Sequence, residues 1–184
     1  MQLGRLAARA VVGGLFVGHG TQKLLGWFGG PGLEGTDGMM QALGMAPARR
    51  NSLAAGAAET TGGALLVLGL ATPLASAELI GVMITAIRKV HLPNGPWVAN
   101  GGWEYNAVLI ATLMALAEEG PGPLSLDRLF GIERRGPVWG LGALALGAAT
   151  SGAVIEMARR HPTPPAPASD PTVTHTAGDP ATRD

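Results

Sequence analysis

Long apolar runs, separated by short polar or Gly/Pro-rich segments, dominate the chain. The runs fall at about 6–28, 47–70, 74–92, 103–117 and 137–157. A membrane-spanning helix needs about 20 mostly apolar residues, and all but the short fourth run come close to that length. The pattern predicts four antiparallel spanning helices, then a fifth, and then a polar C-terminal segment.

Local signals mark the ends of these runs. Trp27 and Phe28 close the first run, as interfacial aromatic residues do. Thr72 is expected to be the N-cap of the third helix, and Pro73 suits the first position inside it. Since so few residues separate the second and third runs, these two helices are expected to form an antiparallel hairpin.

Positive charge precedes the first run at Arg5 and Arg9. A signal peptide is the rival interpretation of this pattern, but no small-residue cleavage motif follows the run, which favours a retained helix. Lys and Arg are divided almost equally between the two predicted membrane faces. We place the N-terminus inside because Arg5 and Arg9 precede the first helix and three arginines precede the fifth.

The predicted domain organisation has three parts. Residues 1–131 form a four-helix membrane domain, residues 132–160 add a further transmembrane helix, and residues 161–184 form a disordered Pro/Thr-rich tail. Three glycines of the added helix are expected to allow close helix contact: Gly140, Gly142 and Gly147. The predicted fold class is therefore all-α, an antiparallel four-helix transmembrane bundle with a fifth C-terminal helix.

Composition favours a membrane protein and excludes several kinds of site. Only 14% of residues are charged, against roughly 25% in soluble globular domains. Lys+Arg and Asp+Glu are both 13, so no basic surplus exists to bind nucleic acid. The chain has no cysteine, which excludes disulfides, thiolate metal sites and any cysteine-bound cofactor. We expect a multi-pass protein of the cell membrane whose first partner is the lipid bilayer.

Polar and ionisable side chains interrupt the apolar runs near one membrane face. In an up-down bundle, the ends of the first and third helices lie beside the starts of the second and fourth. The predicted polar cluster contains nine residues: His19, Gln22, Lys23, Glu59, Arg88, His91, Glu104, Tyr105 and Asn106. Because such residues inside a bilayer usually face the bundle interior or water, the cluster is a candidate binding site.

His19 and Glu59 are the hardest members to explain as solvated charges. An unpaired charge at their depth costs about 2.5–3.5 kcal/mol, so Glu59 is expected to pair with Lys23 or Arg88. A purely structural polar clamp explains the pattern equally well. The unequal depths of His19 and His91 argue against a haem between them, and no ligand spacing supports a metal site.

Short motifs recur in one order along the first two thirds of the chain. They are GHGTQKL at 18–24, GWFGG at 26–30, Glu59 with Gly62-Gly63, LGLATP at 68–73, GVM at 81–83 with Ala86-Ile87 and Val90-His91, GGWEYN at 101–106, GPG at 120–122 and SLD at 125–127. On these motifs the sequence resembles the DoxX family over roughly residues 1–131. The resemblance implies a four-helix membrane core and an association with quinol oxidases or thiosulfate:quinone oxidoreductase.

The expected function is redox-linked, with quinone as the expected cofactor. The cluster would bind quinone or quinol, or the chain would support a membrane oxidoreductase complex that does. His19 and Glu59 would relay protons, while Lys23, Gln22 or Arg88 would hydrogen-bond a quinone oxygen. The alternative is a non-catalytic membrane anchor or assembly subunit for a soluble redox partner. A small carrier ranks last because the chain has no inverted repeat.

Overall fold

The computed structural model describes residues 3–161, which are all-helical and contain no β-strand. The α-helices of this part are α1 Leu3–Leu25, α2 Gly32–Ala42, α3 Ala48–Leu68, α4 Thr72–Ala86, α5 Glu104–Glu119, α6 Leu126–Leu129 and α7 Pro137–Arg159. Shorter helical turns are 3₁₀ turns at Trp27–Gly29, Leu92–Asn94 and Val98–Asn100 and a π-helical turn at Ile87–His91. The predicted tail lies outside the described residues beyond its first position.

The five apolar runs correspond to α1, α3, α4, α5 and α7, and the predicted all-α class is confirmed. The third run was expected to stay α-helical to Leu92, but α4 ends at Ala86 and the chain continues as the π-helical turn. By length and composition, one helix of the described residues, Pro137–Arg159, is long and apolar enough to cross a membrane.

α1 packs along α3 through two pairs of glycines. A Cβ atom on Gly63 would lie 2.6 Å from the carbonyl oxygen of Gly13, and one on Gly20 would lie 2.6 Å from that of Gly56. The two glycines of each helix are seven residues, or about two turns, apart and therefore lie on the same helical face. At both positions the face has no side chain, which allows the other helix to approach closely. The two backbones therefore touch, and Glu59 of α3 is held close to α1.

α7 packs against α4 and α5 and extends the same hydrophobic core. A Cβ atom on Gly147 would lie 2.9 Å from the carbonyl oxygen of Ala77, and one on Gly140 would lie 3.1 Å from that of Met114. No atom of residues 3–161 lies within 4 Å of the corresponding position at Gly142. Two of the three glycines expected to form close contacts therefore do so, and the third faces open space.

Arg9 links the end of α3 to the segment that follows α5 through side-chain hydrogen bonds. Its side chain is 1% exposed. It donates hydrogen bonds to the carbonyl oxygens of Leu66 at 3.0 Å, Val67 at 2.7 Å and Leu124 at 3.0 Å, and to that of Pro121. Sequence reasoning treated Arg9 as a flanking charge, whereas the structure buries it because the last carbonyls of a helix need donors.

Asp127 caps the start of α4. Its carboxylate accepts hydrogen bonds from the N–H of Ala71 at 2.7 Å and from the N–H and hydroxyl of Thr72, both at 3.1 Å. Ala71 occupies the cap position, with a left-handed φ of 48°. The expected N-cap at Thr72 is therefore wrong. Asp127, brought in by α6, supplies the acceptor that the free N–H groups need.

We expect Gly63→Ala to lower the free energy of unfolding by about 1–3 kcal/mol, because the added methyl group meets the backbone of α1. Gly14→Ala is the matched control, since a Cβ atom there has no neighbour within 4 Å. This control should be neutral or slightly stabilising, because alanine favours helix over glycine. Unfolding of the purified protein in mild detergent measures both. Equal losses in the two variants would contradict the close contact of α1 and α3.

Asp127→Ala should lower the free energy of unfolding by about 2–3 kcal/mol, because buried donors lose a charged acceptor. The control is Glu133→Ala, which removes an ion pair with the exposed Arg128 at 2.9 Å. Such surface pairs contribute about 0–1 kcal/mol. The same unfolding measurement compares the two variants. A loss at Glu133 as large as that at Asp127 would overturn the capping role.

Candidate functional site

Residues of α1 and α5 line a cleft toward one end of the bundle, and hydrogen bonds join the two helices at the other. There the guanidinium group of Arg5 donates hydrogen bonds to the carbonyl oxygens of Glu119 at 2.8 Å and Gly120 at 3.2 Å. At the cleft end lies a cavity of about 270 Å³, with residues of α3 and α4 behind it. This volume is close to the lower limit of small-molecule sites, roughly 300 Å³.

The cleft has polar residues toward one end and apolar walls elsewhere. Its polar lining residues are His19, Lys23, Glu59, His91, Tyr105 and Asn106. Its apolar lining residues are Val12, Leu15, Phe16, Met83, Ala86 and Leu109. Three residues of the loop between α4 and α5 complete the lining: Val98, Gly101 and Gly102. The α1 residues recur every three or four positions and therefore share one helical face.

An ion pair between α1 and α3 lies at the centre of the polar end. Lys23 Nζ donates a hydrogen bond to Glu59 Oε2 at 2.6 Å, and the Glu59 side chain is 4% exposed. Of the two partners expected for Glu59, the structure selects Lys23. Arg88 is exposed on the π-helical turn and is not among the residues that line the cleft.

His19 lies at the rim of the cleft and is oriented by Gln22. The distance between His19 Nδ1 and Gln22 Oε1 is 3.0 Å. Within residues 3–161, Nε2 has no hydrogen-bond partner, so one ring nitrogen of His19 is available to a ligand. Gln22 does not line the cleft. Gly30 packs so closely on Gln22 that a Cβ atom there would lie 2.6 Å from its Cα.

Two predicted cluster members hold the loop beside the polar end. His91 Nδ1 lies 2.8 Å from the carbonyl oxygen of Gly101. Glu104 Oε1 accepts a hydrogen bond from the N–H of Val98 at 2.7 Å. His91 also lines the cleft, whereas Glu104 does not. Glu104 therefore acts on the cleft through the position of the loop.

The first turn of α5 contributes the remaining polar groups. Asn106 is buried, and its Nδ2 donates to the Sδ of Met83 at 3.4 Å. A thioether is a weak acceptor. Among residues 3–161, no donor reaches the Oδ1 of Asn106. Tyr105 is half-exposed and presents its side chain to the same cavity. The pair leaves hydrogen-bonding capacity free at the cleft.

Comparison with known proteins identifies the family. A family model described as DoxX matches residues 4–92. The chain is also 31% identical over 126 residues to a Bacillus subtilis (strain 168) protein named "Putative oxidoreductase CatD", an alignment covering 68% of this chain and 86% of the relative. The chain belongs to the DoxX family. DoxX is a membrane family. No solved structure matches the chain.

The family model covers only part of the candidate site in this DoxX protein. It extends from α1 to just past the π-helical turn, whereas the resemblance noted from the motifs extends to about residue 131. It therefore includes the Lys23–Glu59 pair but not Tyr105 and Asn106 of α5. The α5 side of the cleft lies outside the family model, although its residues belong to the cluster predicted from the sequence.

The apolar walls of the cleft were not anticipated from the sequence. Val12, Leu15 and Phe16 were assigned only to a spanning helix, with no part in the site. Their spacing from His19 is the signal that was available, because positions three, four and seven residues apart share a helical face. Three members of the predicted cluster lie outside the lining: Gln22, Arg88 and Glu104.

We expect Lys23→Met to lower the free energy of unfolding by about 3 kcal/mol, because it leaves the Glu59 carboxylate buried without a cation. The double variant Lys23→Met/Glu59→Gln should lose less than the single variant, since no unpaired charge remains. A double-mutant cycle on unfolding in detergent measures the coupling. Strictly additive losses would contradict an energetically coupled pair.

Proposed function

We propose that this DoxX protein is a multi-pass protein of the cell membrane whose cleft binds the ring of a quinone or quinol in a membrane redox reaction. The observation that carries the proposal is the Lys23–Glu59 ion pair, both of whose residues line the cleft. Two imidazoles, a phenol and an amide line the same cleft: His19, His91, Tyr105 and Asn106. The word oxidoreductase in the relative's name supports a redox role.

Apolar side chains on the outer faces of five helices support the membrane placement. They belong to α1, α3, α4, α5 and α7, which we infer to be a four-helix transmembrane bundle and a fifth span. Exposed members include Val11, Leu53, Val67, Leu74, Val108, Leu141 and Leu146. Lipid, unlike water, imposes no cost on so much apolar surface. Trp27, Phe28 and Trp97 are exposed near the polar end, where interfacial aromatic residues are expected.

The polar end has the donors and acceptors that a quinone ring requires. Lys23 and the hydroxyl of Tyr105 would donate hydrogen bonds to the ring oxygens, and Asn106 offers both an N–H and a free Oδ1. A bound quinone would supply two-electron, two-proton redox chemistry. Glu59 and the Nε2 of His19 would accept or return the protons. We assign electron exchange to a membrane or soluble redox protein partner.

A second candidate function is a non-catalytic anchor or assembly subunit for a soluble redox protein. The observation that favours it is that several cluster members already have partners within the chain. Lys23 pairs with Glu59, His19 contacts Gln22, and His91 contacts the backbone of Gly101. A polar clamp of this kind would hold the bundle together without binding a ligand.

Protein purified from native membranes in mild detergent should carry about one quinone per chain. Glu59→Gln should reduce the affinity for quinone at least about tenfold, since a lost charged partner costs about 1.5–3 kcal/mol, and Tyr105→Phe should reduce it about two- to tenfold, since a neutral hydrogen bond contributes about 0.5–1.5 kcal/mol. Solvent extraction and quantification of quinone measure this. Tyr105→Phe leaves the ion pair intact, so its effect does not depend on a folding defect.

The matched control is Glu78→Gln, which changes a carboxylate on α4 that accepts a hydrogen bond from Thr61 and does not line the cleft. Its quinone content should equal that of the wild type. If no sample contains quinone and a soluble redox protein co-purifies instead, the quinone site is refuted and the anchor function is supported.

A further inference from the structure

We propose that the ligand of the cleft carries a long apolar chain on its ring and enters sideways from the bilayer, between α1 and α5. The ring would occupy the polar end, and the chain would lie along Val12, Leu15 and Leu109. This inference rests on the proposed function, because it assigns the ring to the polar end described above.

The cleft is longer than the polar end alone. From Lys23 to Val12 its α1 wall spans 11 residues, or about 16 Å at 1.5 Å per residue. Leu15 lies one turn below His19, and Val12 lies a further turn below Leu15. On the opposite wall, Leu109 lies one turn below Tyr105. The polar ring site therefore continues into a groove with apolar side chains on both walls, which suits an apolar chain.

The side of the cleft is bordered by apolar surface. Leu15 is 48% exposed and lies at the rim. Next to it on α1 is the exposed Val11, and Val108 is exposed beside Leu109 on α5. A groove whose rims are exposed apolar side chains opens onto hydrocarbon when the helices lie in a bilayer. This mouth suits a molecule that is dissolved in the membrane.

The loop between α4 and α5 obstructs the route from the water side. Three of its residues, Val98, Gly101 and Gly102, line the polar end. Glu104 bonds to the N–H of Val98, and His91 contacts the carbonyl oxygen of Gly101. The loop is also tightly packed on itself, since a Cβ atom on Gly102 would lie 2.3 Å from the carbonyl oxygen of Gly95. A ligand reaches the ring site through the lateral mouth without displacing these contacts.

The lower end of the groove is closed by the contacts that join α1 to α5. Arg5 bonds to the carbonyl oxygens of Glu119 and Gly120, and Arg9 bonds to that of Pro121. These contacts lie one to two turns below Val12 on α1. The groove is thus closed at this end but open along its side, so that a long chain can leave it toward lipid.

The test compares two probes with the same ring: a benzoquinone bearing only a methyl group, and that ring bearing four isoprene units. Binding to the full-length protein in detergent is measured by equilibrium dialysis and corrected for partition into micelles. We expect the chain-bearing probe to bind at least about tenfold more tightly than the methyl probe. Excess phospholipid should not displace it.

Variants of α1 separate the chain from the ring. Leu15→Trp fills the groove below the ring site, so it should remove the advantage of the chain while leaving the methyl probe unaffected. Leu25→Trp is the matched control, because Leu25 is exposed on α1 and does not line the cleft, and it should leave both affinities unchanged. Each position is already partly or largely exposed, and both variants are expected to fold.

The outcomes distinguish this inference from the proposed function. The groove does not bind the chain if the wild type has equal affinity for the two probes, or if Leu15→Trp weakens both equally. Either result is still compatible with a ring site at the polar end. Displacement of the long probe by phospholipid assigns the groove to ordinary lipid and also overturns the inference. Binding of neither probe overturns the proposed function and the inference with it.

Discussion

The contact between the backbones of α1 and α3 is the constraint on which the candidate site depends. Glycines face glycines at two levels of this contact, so no side chain separates the helices. Lys23 and Glu59 lie on either side of it and meet at 2.6 Å. A buried ion pair stabilises a protein only when its geometry is well held. The glycines provide that geometry, and the pair in turn places a carboxylate and an ammonium group at the cleft.

The two ends of the bundle are built differently, and the difference produces the cleft. At one end, Arg9 and Asp127 satisfy helix-terminal carbonyl and N–H groups across long sequence separations, and Arg5 ties α1 to α5. At the other end α1 and α5 separate, and the loop after α4 lies beside the opening. The Arg5, Arg9 and Asp127 contacts hold the helices at one end of the bundle, and this helps to fix the shape of the cleft at the other. A binding site benefits from such preorganisation.

Hydropathy and helix order were enough to predict the all-α class and to bring together six of the nine predicted cluster residues, which line one cleft. They were not enough to choose between Lys23 and Arg88 as the partner of Glu59, because that choice depends on helix rotation. The π-helical turn that contains Arg88 changes that rotation. Arg9 and Asp127 were missed for another reason. Their partners are backbone groups 55 or more residues away, and no local pattern in the sequence reveals such contacts.

The balance of hydrogen bonds distinguishes a clamp from a binding site. A polar cluster that serves only structure is expected to satisfy its buried groups, since each unsatisfied one costs about 1–3 kcal/mol. The Lys23–Glu59 pair meets this expectation. Asn106 differs: its Nδ2 reaches only a thioether, and its Oδ1, which accepts from no donor within residues 3–161, is not fully buried and stays accessible beside the cavity. His19, whose Nδ1 contacts Gln22, lines the same cavity. Hydrogen-bonding capacity that is unused and faces a cavity is available to a polar ligand. Its presence favours a binding site over a cluster that serves only to hold the helices together.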